Sequence, residues 1–157
     1  MIVDGTRFGQ IELEDERIIT FPTGLIGFAS QRRFVLLERV RDGKFAWLQC
    51  LDTPSLAFPV VDASLLDVGH PQHILEEAAR GAGLPTSDLA VLIIVAMRSG
   101  ENHVMANMLA PLLIDIGSRV GAQVVLDPRA YASQAPMPVP PQVPEKRPTM
   151  AARLSAG

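Results

Sequence analysis

A chain of 157 residues, 48% of them hydrophobic and 20% charged, has the dimensions of one globular domain that needs neither disulfide nor metal to fold. Its longest apolar run, residues 89–97, is too short for the roughly 18–20 residues of a membrane span; its one cysteine, Cys50, has no partner for an internal disulfide; and its first residues lack the pattern of a secretory leader, so a cytoplasmic protein is expected. The formal charge of −3 is uneven, because Lys146, Arg147 and Arg153 against Glu145 put +2 on residues 136–157 and leave −5 on residues 1–135, which disfavours direct nucleic-acid binding and favours a basic protein partner.

Residues 8–13 alternate apolar and polar positions, Asp15-Glu16 marks a turn and residues 17–21 are again strand-like, which predicts a hairpin. Two apolar runs, residues 34–40 and 45–51, flank Asp42-Gly43, a strong hairpin signal. A two-residue loop there would set Leu37 opposite Leu48 and Val35 opposite Cys50. Both faces of that pair are apolar, as in a strand packed on two sides. Residues 57–61 form another short strand, with Asp62 placed to cap a helical turn through Leu66. Ile74, Leu75, Ala78 and Ala79 stand at helical spacing, predicting a short helix over residues 74–80 that stops at Gly81 or Gly83. Strands are then predicted over residues 89–97, 104–109, 112–116 and 122–126. The sum is a mainly β fold, a small antiparallel β-barrel-like domain with one short helix, over about residues 1–130. Prolines crowd the stretch after Ser133, so residues 134–157 are expected to be a Pro-rich disordered tail.

No phosphate-binding loop, dinucleotide-binding glycine turn or nucleophile elbow is present. Cys50 falls on an apolar strand face and is expected to be a buried, inert thiol. Asp67, His70 and His73 have loosely metal-like spacing but are too few, and lie in a loop that leads into the helix. Asn107 is expected to be a structural amide at a bulge. No catalytic residue, metal ligand or cofactor is therefore expected. Glu12, Glu14, Asp15 and Glu16 concentrate four carboxylates at one turn, either as a complement to a basic protein or as a charged edge that resists aggregation. Phe28 and Phe58, with Pro59, offer apolar anchors or serve local packing.

Several long blocks carry a resemblance. Thr6-Arg7-Phe8-Gly9-Gln10-Ile11-Glu12, residues 16–25, Phe34-Val35-Leu36-Leu37-Glu38, residues 45–49, residues 51–62, Ala106-Asn107-Met108-Leu109-Ala110-Pro111 and Gln123-Val124-Val125-Leu126 together resemble the flagellar assembly factor FliW family, in the family's order. Ile26 and Ala63 stand where that family commonly has proline, and Asp115 where it often has asparagine. The resemblance implies a non-enzymatic β-barrel-like protein that binds cytosolic flagellin and also CsrA, a small dimeric RNA-binding repressor of flagellin translation; a monomer is expected. A flagellin-sequestering chaperone without a role in translation, or a small-barrel cofactor-binding enzyme, are the alternatives, and a bound chromophore would mark the last.

Overall fold

The computed structural model describes residues 1–38, 45–65, 70–97, 104–128 and 137–138. In chain order the strands are β1 (Ile2–Thr6), β2 (Gly9–Glu12), β3 (Ile19–Thr20), β4 (Arg33–Glu38), β5 (Ala46–Cys50), β6 (Ala57–Asp62), β7 (Leu89–Met97), β8 (Val104–Ala106), β9 (Leu112–Asp115), β10 (Val120–Gln123) and β11 (Met137–Pro138), with one α-helix, α1 (Gln72–Gly81), between β6 and β7. The Asp42-Gly43 turn, Leu66, Asp67, the turn after Met97 and most of the proline-rich stretch lie outside the described residues.

Seven strands close into a barrel. The order β7-β6-β5-β4-β3-β10-β9 returns to its start because residues 89–92 of β7 pair with β9. Every neighbour is antiparallel save one: β3 and β10 run parallel and meet at the single pair Val120↔Thr20, so the barrel is mixed where an antiparallel one was expected. Arg119 builds that seam. It sits at φ +58°, an uncommon conformation for a residue with a side chain, and from there its carbonyl accepts the Thr20 N–H at 2.9 Å while its guanidinium donates to the Arg17 carbonyl at 2.9 Å.

The interior is filled by Ile19, Phe21, Phe34, Leu36, Leu48, Cys50, Val60, Ala90, Leu92, Leu112 and Ile114, nearly all fully buried. β10 contributes a gap in place of a side chain. A Cβ on Gly121 would stand 2.8 Å from Phe21 Cε1 and 3.0 Å from the Leu113 carbonyl, so glycine there makes the room that the Phe21 ring occupies. The barrel's outside is also covered on three sides, which is why its strands are apolar on both faces. The β1–β2 hairpin packs Val3 and Ile11 on Val35 and Leu51; Arg7 lies 4.0 Å above the Trp47 ring, which also meets Phe8 edge-on. Helix α1 sets Leu75 and Ala79 against Leu113 on β9, with Leu84 beside them, and a third cluster joins Val61, Ile93 and Val95 to Ala106, Met108 and Leu126.

Three sequence expectations change. The strand over residues 8–13 takes β1 as its partner, with Val3↔Ile11, and does not form a hairpin with residues 17–21. The buried Thr6 hydroxyl accepts the Phe8 N–H at 3.1 Å and donates to the Gly9 carbonyl, so the chain reverses there, and Asp15–Arg17 becomes a single 3-10 turn leading to β3. The β4–β5 register is one step from the expected one: Leu36 faces Leu48 and Phe34 faces Cys50, which sends both pairs into the barrel and turns Val35 and Leu37 outward. Helix α1 begins at Gln72, earlier than expected, which puts Glu76 in its second turn, 3.5 Å from Arg80. Asp62 does cap as expected, accepting the Ser64 N–H at 2.9 Å.

Gly121→Ala tests the interior packing directly. Overfilling this site should cost about 1–3 kcal/mol of unfolding free energy, read as a lower urea midpoint at unchanged m-value.

Candidate functional site

Two surface features carry the residues singled out in the sequence. The first is the acidic turn between β2 and β3. Glu12 ends β2, Glu14 precedes the 3-10 turn, and Asp15 and Glu16 lie inside it; all four are exposed, and none is ion-paired with another described residue. The turn is rigid from below. Leu13 is buried and its N–H donates to the Met1 carbonyl at 2.9 Å, while the Arg17 guanidinium folds back to the Leu36 carbonyl at 3.2 Å and the Arg17 carbonyl is held by Arg119. Ordered main chain beneath solvated carboxylates gives a fixed negative surface, bordering a shallow depression of about 720 Å³ that Met1 and Arg17 also line.

The second feature is the loop between β3 and β4. Leu25 and Phe28 exchange main-chain hydrogen bonds at 3.2 and 2.7 Å across Ile26-Gly27. Gly24 enters this tight turn at φ +70°, and a Cβ there would lie 2.5 Å from the Phe28 carbonyl. The Ile26 N–H donates to Gln123 Oε1 at 2.8 Å, and Gln123 Nε2 donates to the Ala110 carbonyl at 3.2 Å, so the loop is tied to β10. What it presents is apolar. Ile26 is 57% exposed and Phe28 39%. Phe28 packs edge-on against half-buried Phe58 at 5.2 Å, and the aromatic contact continues through Phe34 to Phe21 in the core.

Glu12, Glu14, Asp15 and Glu16 are thus gathered at one end of β3, and Phe28 with Phe58 at the other. Ile26 and the 71%-exposed Val125 are apolar surface residues that the sequence reading did not select for binding; exposed and buried aliphatic residues look alike in a run, and only the turn geometry separates them.

Cys50 is buried, its Sγ donating to Gln31 Oε1 at 3.2 Å and accepting the Thr53 N–H at 3.3 Å. Burial pushes its thiol up, outweighing the Thr53 hydrogen bond that favours the thiolate. Asp52 accepts the Arg32 and Arg33 N–H groups at 2.8 and 2.9 Å and pairs with the Arg33 guanidinium; burial raises its carboxyl, but these donors together hold it below the usual range. His70 Nε2 meets the Met108 carbonyl and His73 lies exposed on α1. Among the described residues no three His, Cys, Asp or Glu side chains are placed to share a metal ion. Asn107 is exposed, and its main-chain N–H donates to the Ile94 carbonyl at 3.0 Å. No helix among the described residues is long and apolar enough to cross a membrane.

Sequence and fold both match a known family. The chain matches the FliW protein family profile over residues 2–137. It belongs to the FliW family. The flagellar assembly factor FliW of Bdellovibrio bacteriovorus is 36% identical over 138 residues, spanning 87% of this chain and 79% of that protein. The one from Geobacter sulfurreducens is 34% identical over 137 residues, spanning 87% and 86%. A crystal structure of the flagellar assembly factor FliW superposes with a TM-score of 0.68 at 26% identity, covering 94% of this chain and 100% of that one. The chain is accordingly a flagellar assembly factor of a non-enzymatic family.

One pH dependence follows from the site's surroundings. Burial lowers His70 from its usual value of 6.5, against the opposing pull of the Met108 carbonyl. The unfolded chain therefore takes up a proton before the folded one does, and stability falls as pH drops through 6.5 toward the folded value. His70→Gln should flatten that loss, measured as the difference between urea midpoints at about pH 7.5 and about pH 5.5.

Proposed function

We propose that this FliW-family chain is a cytoplasmic, monomeric partner switch: it binds cytosolic flagellin and, when flagellin is scarce, binds CsrA and weakens CsrA's hold on flagellin messenger RNA. The observation that carries the CsrA half is electrostatic. Residues 1–135 bear −5 by formal count, and four carboxylates, Glu12, Glu14, Asp15 and Glu16, stand exposed on a rigid turn. Such a surface repels RNA and steers a basic RNA-binding protein toward itself. Phe28, backed by Phe58 and flanked by Ile26, supplies the desolvated anchor that a steered encounter needs to become a stable complex. Both features are ordered before binding, which limits the entropy lost on association.

Rate measurements test this division of labour. Raising ionic strength should slow association with CsrA more than it speeds dissociation, because steering is screened over about 10 Å at 0.1 M salt. Reversing Glu12, Asp15 and Glu16 to lysine together should cut the association rate about tenfold or more, and unchanged kinetics in a folded variant would remove the turn from the interface. Phe28→Ala should act on dissociation instead, weakening the complex by about tenfold or more.

A further inference from the structure

The β1–β2 hairpin is a two-stranded sheet of its own, so β2 has a ladder on one side only. Its bonds to β1 decide which main-chain groups face the other side. Met1 and Leu13 exchange two main-chain bonds, at 3.0 and 2.9 Å, and the pairs Ile2↔Glu12 and Val3↔Ile11 follow in the register. Bonded and non-bonded pairs alternate along an antiparallel ladder. Leu13 and Ile11 therefore serve β1, and Glu12 presents its N–H and C=O outward. Gln10 does the same, because the register shift before Thr6↔Gly9 falls on β1, where Asp4 and Gly5 stand against Gln10 alone. Among the described residues no main-chain hydrogen bond reaches these outward groups.

Alongside this edge runs a shallow depression of about 350 Å³, lined by Gln10, Ile11 and Glu12, by Leu37 and Glu38 at the end of β4, and by Arg17. β3 pairs only with Arg33 and Phe34 of β4, and beyond them the Leu36 carbonyl is taken by the Arg17 guanidinium at 3.2 Å. The two faces of the edge differ. Ile11 is buried beside Val35 and Leu51, and half-buried Leu37 extends that apolar floor. Gln10, Glu12 and Glu38 are exposed, and neither glutamate is ion-paired with another described residue. A strand laid along β2 would set every second side chain on the apolar floor and the others beside Glu12, where Lys or Arg is the complement. A second copy of β2 does not meet that requirement. Its Gly9-Gln10-Ile11-Glu12 has no basic residue, and pairing it would bring further carboxylates to an acidic edge.

We infer that the outer edge of β2 is a strand-addition site, which takes from a partner protein an extended segment alternating apolar residues with Lys or Arg. This goes beyond the steering assigned to the acidic turn, and its test contains no CsrA, so either reading can fail alone. The probe is the peptide Lys-Val-Lys-Val-Lys-Val-Lys, titrated into the full chain and into two variants, Glu12→Gln and Glu12→Pro, with hydrogen exchange of the parent read by NMR. Glu12→Gln removes the charge and keeps the outward N–H. Glu12→Pro removes both and leaves the ladder to β1, which residue 12 does not bond. In the parent, saturating peptide should slow exchange of the Gln10 and Glu12 amides about tenfold or more. Glu12→Pro should bind the peptide about fivefold or more weakly than Glu12→Gln, the difference being the lost main-chain donor. The exchange measurement needs no variant, so it decides the matter even where Glu12→Pro fails to fold. Peptide that binds and leaves both amides exchanging as before overturns the inference, as does equal affinity of the two variants. Equal binding of Glu-Val-Glu-Val-Glu-Val-Glu, or no binding to the parent at about 1 mM peptide, overturns it too.

Discussion

Closure of the sheet at the β3–β10 seam is the constraint on which the rest depends. Six of the seven contacts around the barrel are antiparallel ladders, but the last is a single parallel pair, Val120 with Thr20, completed by Arg119. Arg119 holds a left-handed backbone so that its carbonyl reaches Thr20, and its guanidinium reaches back to the residue that ends the acidic turn. Beside it, Gly121 leaves the volume that Phe21 fills. A small barrel closed this way has an interior occupied by side chains, so whatever the protein recognises must be met on its outside.

The same closure dictates the outer layers. Most of the barrel's strands have a second apolar face, and the hairpin, the helix and the β8 region cover these faces in turn. What remains exposed among the described residues is informative: a charged turn at one end of β3 and an apolar turn at the other. Both are braced by hydrogen bonds between side chains and main chain that reach neighbouring elements. They are surfaces of the scaffold, with little left to order on binding.

Much of this was legible in the residues, and the failures have physical causes. Strands β4 to β7 and helix α1 announced themselves because long apolar runs and 3.6-residue spacing survive any tertiary context. β1 carries no such signal, because Asp4 and Gly5 interrupt it and it buries only Val3 and Thr6. The β4–β5 register differs by one from the expected one because an apolar pattern on both faces of both strands fits either register. The parallel seam joins residues a hundred positions apart and turns on the backbone conformation of one arginine, which no local pattern encodes. At the surface, composition located the acids and Phe28, yet Ile26 stood out only as a departure from a family pattern. Its exposure comes from a two-residue turn whose geometry appears when the chain is folded.

The central functional claim is that one acidic, non-catalytic barrel connects flagellin to the control of its own messenger RNA. Titration of the protein into a preformed complex of CsrA with flagellin messenger RNA, followed by addition of flagellin, tests it most directly. The account predicts that RNA is released in the first step and recaptured by CsrA in the second. RNA that stays bound throughout, or binds this protein itself, would contradict it.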